Sequence, residues 1–218
     1  MKMSFSQLFD FVCDMKTLVR IIKKEIKMNL GILNETVILI DTDFLNEQIT
    51  KLVPFYKNLN PEKVFGKINL ADLLYKFALN ARIEEAGNNV DILFAYSLHN
   101  SQLTHCEPNN VFNFIDSNQV QMETEKGTFL IRSFFGDEDE TCTEHFINML
   151  SMVNYSPRVS RIIMVADNSD LNFELEMMSE QNDKSLFMFT KGSDSSIEVE
   201  IKYIPIYYII AQSLGVNA

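Results

Sequence analysis

The sequence predicts an α/β fold, a three-layer αβα sandwich on a mostly parallel central sheet. Apolar runs of strand length alternate with stretches of helical periodicity along most of the chain, the pattern that βαβ units leave in a sequence. The strand runs are continuous rather than alternating, as in VILI (37–40) and RIIMV (161–165), so helices are expected on both faces of the sheet. No internal repeat, low-complexity tract or interdomain linker interrupts the 218 residues, and 46% apolar residues with 17 Phe suffice for one core.

Residues 1–30 read as an appendage to a single α/β domain spanning 31–218. Phe5, Leu8, Val12, Met15, Val19, Ile22 and Ile26 recur at three- and four-residue spacing, the mark of an amphipathic helix. Asp10 and Asp14 interrupt the apolar stretch that a signal peptide needs, and the segment is too charged to span a bilayer. Packing on its own domain or on a partner is expected before attachment to a membrane surface. The alternative is that Met28 starts the natural protein and the residues before it are an upstream extension.

The first strand, within TVILIDTDFL (36–45), is followed by LNEQITKLVPFYKNL, whose helical periodicity Pro54 is expected to end or kink. NLADLLYKFALNARIEEAG is a second helix, with Asn69 as N-cap, Asp72 in its first turn and Gly87 as its stop. VDILFAYS (90–97) is the second strand. A polar loop and the short apolar element VFNFID precede a third strand, Thr128–Phe135, which ends in an acidic loop. TCTEHFINMLSMV is a helix, RIIMVADNSD contains the fourth strand, LNFELEMMSEQND is a helix and KSLFMFTKG the fifth strand. SIEVEIKY alternates with period two as a sixth strand, Pro205 marks a turn, and Tyr207–Leu214 is a terminal helix.

Composition removes several function classes. A net charge of −11 argues against a broad basic surface, so any nucleic acid, RNA included, is expected to be held only at a local site. Cys13, Cys106 and Cys142 form neither a zinc pattern nor a disulfide framework, which points to a reducing, cytoplasmic compartment. There is no transmembrane segment and no glycine-rich phosphate loop. Ser97 lacks the GxSxG elbow, and His99, His105 and His145 show no metal-ligand spacing. Cys142 and His145 share a helix face but have no third group to orient them as a nucleophile and base.

The acids are more informative because they gather at strand ends. Asp41 and Asp43 follow the first strand, residues 137–140 the third, and Asp167 and Asp170 the fourth, with Glu144 one turn into the intervening helix. In a parallel sheet these ends share one edge, where α/β proteins bind ligands. If the strand continues past Asp41, Asp41 and Asp43 share a face and repel unless a cation or a proton intervenes. Mg or Mn suits such oxygen ligands. The simpler reading is that these acids cap helices, which suits Asp139, Glu140 and Asp170. It suits Asp41 and Asp43 less well, since helical periodicity becomes clear only after them.

The stretches VILIDTDFL and MVADNSDL resemble the PIN-like nucleases, in particular their NYN branch, over roughly residues 36–214. VILIDTDFL matches the motif with which that family ends its first strand. MVADNSDL lies where the family has SGDSDF, so Asp170 falls on its second aspartate and Ser169 on its serine. Glu144 is nearest to the acid the family carries on the preceding helix. The resemblance implies a metal-dependent ribonuclease that cleaves phosphodiesters, with Asp41, Asp43, Glu144, Asp167 and Asp170 at its catalytic edge. Asp41, Asp167 and Asp170 would hold the Mg or Mn. The sequence departs from the family in having Asn168 in place of the first aspartate, Asp167 in place of glycine, and Phe44 where a polar residue is common. Either Asp167 has taken over as a ligand, or the chain is a degenerate, non-catalytic relative.

Three further readings stand beside this one. DTD and ADNSD also resemble motifs of the haloacid dehalogenase-like phosphatases, which would make Asp41 the nucleophile, Asp43 the acid/base, Ser97 a phosphate-binding hydroxyl and Lys126 a charge neutraliser. In place of the GT that usually follows the first motif stand Phe44 and Leu45. A receiver domain, with Lys191 after the fifth strand, fits less well, because Asp91 begins a strand where a phosphoacceptor should end one. The remaining class is a non-enzymatic α/β interaction module with a homodimer or protein partner.

Overall fold

The computed structural model describes residues 33–81, 89–96, 102–109, 120–124, 127–135, 141–167, 169, 171–179, 184–192 and 201–216. The amphipathic segment 1–30 with Met28, Gly87, VFNFID, Ser97, Lys126, the acidic run 137–140, Asn168 and Asp170 lie outside them. Leu33–Ala218 cluster as one compact unit.

Nine strands and five helices are described. Strand β1 (Thr36–Asp41) leads into helix α1 (Thr42–Leu59), then β2 (Ile68–Asn69), α2 (Leu70–Asn80), β3 (Val90–Tyr96), β4 (Cys106–Glu107), β5 (Val120–Thr124) and β6 (Gly127–Phe135). After these come α3 (Cys142–Tyr155), β7 (Arg161–Val165), α4 (Asn172–Ser179), β8 (Ser185–Thr190), β9 (Ile201–Pro205) and α5 (Ile206–Ser213). The main sheet has seven strands in the order β5-β6-β3-β1-β7-β8-β9. Only β5, at one edge, runs antiparallel to its neighbour β6. The parallel strands, numbered by their own sequence order, lie 3-2-1-4-5-6. That doubly wound order reverses direction between β1 and β7, where a ligand crevice is expected at the carboxyl ends. The expected α/β fold is found, with the first, second and fourth predicted strands side by side.

Alternation along the strands sorts the core. Ile38 and Ile40 of β1 join Ile92, Phe94, Ile163, Val165, Phe187 and Phe189 in one cluster with α1, α2 and α5. The register that puts Ile38 beside both Ile92 and Ile163 keeps these side chains on one face. Val37, Leu39 and Asp41 point the other way, toward α3, which packs on β1 and β3. Every residue of β1 is buried, so covering both faces explains its unbroken apolar run.

Several boundaries differ from the sequence reading. Helix α1 begins at Thr42, immediately after β1, because Asp41 is its N-cap. Asp41 and Asp43 therefore do not share a strand face, and the capping explanation holds for Asp41. Pro54 neither ends nor splits α1. It sits on the exposed side, while Val53 and Tyr56 on either side of it are buried and anchor both halves. Asn69 caps α2 as expected, with its side chain accepting from Asp72 N–H at 3.0 Å. The last strand is found at Ile201–Pro205, later than SIEVEIKY (196–203), whose first residues fall outside the described set. Strand β5 and the two-stranded β2–β4 sheet were not expected; both are short and set among polar residues.

Candidate functional site

At the switch point, β1 ends in Asp41 and β7 is followed by Asp167. Ile40 pairs with Val165 in parallel register, so both acids lie at one edge of the sheet. They belong to separate clusters: the Asp41 carboxylate is tied to α3 through Cys142 and Thr143 as well as capping α1, whereas Asp167 is tied to Lys191 and Ser169.

Asp41 is 4% exposed and surrounded by donors. Its Oδ1 accepts from Phe44 N–H at 2.9 Å and from Cys142 Sγ at 3.2 Å, and its Oδ2 accepts from Thr143 Oγ1 at 3.2 Å. The first bond caps α1; the other two tie the α3 N-terminus to the end of β1. Cys142 Sγ also lies 3.0 Å from Ala95 O. Burial, reinforced by the negative charge of Asp41, pushes the Cys142 thiol well above its usual range. It is a neutral donor rather than a nucleophile. His145 is fully buried with Nδ1 facing Tyr96 O at 3.4 Å, so it is held by β3.

A carboxylate in the N-cap also answers the question of anion binding. The free N–H groups of a helix N-terminus are the usual phosphate cradle. At α1 that place is taken by Asp41, and Asp43 in the first turn adds a second negative charge. A pyrophosphate bound there, as in dinucleotide-binding proteins, is electrostatically excluded.

Asp167 belongs to the layer of α1. Its Oδ1 accepts from Ser169 N–H at 3.2 Å and Ser169 Oγ at 3.0 Å, while its Oδ2 accepts from Lys191 Nζ at 2.6 Å. Partial burial works to raise the carboxyl, but the Lys191 ammonium and the two Ser169 donors outweigh it and hold Asp167 below the usual range. Lys191 in turn is held above its usual range, first by its hydrogen bond to Asp167. Its ammonium also lies 3.6 Å from Glu47 Oε2 and 5.6 Å from the centre of the Phe44 ring. One cation thus joins the end of β8, the end of β7 and the first turns of α1.

Glu144 is exposed and completes a capping box: its Oε2 accepts from Thr141 N–H at 2.9 Å and Thr141 Oγ1 at 3.0 Å. Among the described residues no three His, Cys, Asp or Glu side chains gather as a metal shell. The residues expected to hold Mg or Mn fit that role poorly, since Asp41 and Asp167 face different layers and each is already engaged by protein donors. Asp170 lies outside the described residues. The phosphatase roles for Asp41 and Asp43 also meet an awkward geometry: Asp41 is a buried cap, and Asp43 sits on a helical turn. Asp91, the second residue of β3, is fully buried, and its Oδ2 accepts from Asn34 N–H at 2.7 Å.

Sequence reasoning missed Lys191, Thr143 and Cys142 as partners of these acids. A signal existed for Lys191, which follows an apolar strand just as Asp41 and Asp167 do. None existed for Thr143, whose part depends on how α3 docks. No described helix is long and apolar enough to cross a membrane. Residues 31–218 match the model of a family of unknown function (DUF6621). No curated protein and no solved structure matches the chain.

Proposed function

The chain belongs to this family of unknown function, so its role rests on the site itself, and we propose that it is a degenerate, non-catalytic relative of the PIN-like nucleases. In this reading it acts as an α/β interaction module, and its acidic edge stabilises the fold. The observation that carries the reading is the Lys191 ammonium between Asp167 and Glu47. A built-in cation there supplies the positive charge that a divalent ion would otherwise bring to the crevice. Asp41, already engaged by Phe44, Cys142 and Thr143, supports the same view, as does Asn168 at a position where the PIN-like pattern has aspartate.

The test is thermal unfolding with and without millimolar Mn or Mg, together with incubation of the protein with single-stranded RNA and with a generic phosphomonoester. The expected results are an unchanged Tm, because a ligand stabilises only if the folded state binds it, and no turnover of either substrate. RNA cleavage that needs the metal and disappears in Asp167→Asn would overturn the proposal. It would favour the second reading, a metal-dependent ribonuclease, which draws support from Asp41 and Asp167 ending adjacent strands at the switch point. Monoester turnover lost in Asp41→Asn would favour a phosphatase instead.

A further inference from the structure

We draw no further inference here: the strongest candidate, the apolar groove between the second half of α1 and α5 that Phe55, Leu59 and Tyr207 line, carries nothing, because nothing among the described residues shows what covers it.

Discussion

Asp41 does three things with one carboxylate: it caps α1, takes a thiol hydrogen bond and takes a hydroxyl hydrogen bond. Asp41→Ala removes the acceptor from three donors, two of them in buried surroundings, and is expected to cost about 2–4 kcal/mol. Asp41→Asn keeps a side-chain oxygen for Phe44 N–H, so a loss below about 1.5 kcal/mol is expected; urea unfolding of both variants measures the difference. Equal losses would mean that the charge, not the cap, stabilises this corner. Asp167 and Lys191 make a separate prediction about pH. A carboxyl held below its unfolded value stabilises the fold above that value, 3.8 for Asp, and the contribution fades as pH falls through the lower folded value. Lys191 is held above 10.5 and contributes below that value, losing its effect only as pH rises through the higher folded value. Lys191→Met should therefore lower Tm across the neutral range and by progressively less below about pH 4, with a neutral-pH loss under about 1 kcal/mol because Lys191 is well exposed. A loss that persists undiminished at pH 2.5 would show that packing over Phe44, rather than charge, is what Lys191 provides.

At the scale of elements, Pro54 makes the sharpest prediction. It removes one N–H from the interior of α1, and it is exposed, so Pro54→Ala adds a helical hydrogen bond without opening a cavity. The substitution should stabilise by about 1–2 kcal/mol, less than the full helical preference for Ala because proline also restricts the unfolded chain. Chemical denaturation of that one variant decides it. Thr141→Ala, which breaks the α3 capping box, should cost about 1 kcal/mol. How far such elements could be read in advance depended on whether their cause was local. β1, β3, β7 and β8 are apolar because both faces are covered, and composition alone announces that. Asn69 sits at an N-cap that bonds three residues along, again a local event. The start of α1 was misjudged because the apolar stripe becomes regular only after Asp43, whereas the deciding bond comes from Asp41. β5 was missed because five residues in a polar setting become a strand only when β6 offers an edge. The separation of Asp41 from Asp167 was likewise invisible: sequence places both at strand ends, but which layer each faces depends on α3 and Lys191.

For the whole molecule, Leu33–Ala218 form one compact unit with its own buried core. A chain of residues 28–218 should accordingly unfold in one cooperative transition, and a broad or multi-step melt by calorimetry would count against a self-sufficient domain. The position of β1 has a consequence for how the protein is made. Of the described strands it is the first to leave the ribosome, yet it lies in the middle of the sheet, between β3 and β7. Its partner residue on the β3 side, Val90, follows Thr36 by 54 positions, and on the β7 side, Arg161, by 125. At about 5–20 residues per second, β1 waits roughly 6–25 s during synthesis for its second neighbour. Through that interval one side of a strand that is wholly buried in the finished fold has no native partner, and the nascent chain is at its most vulnerable to aggregation and most dependent on chaperones.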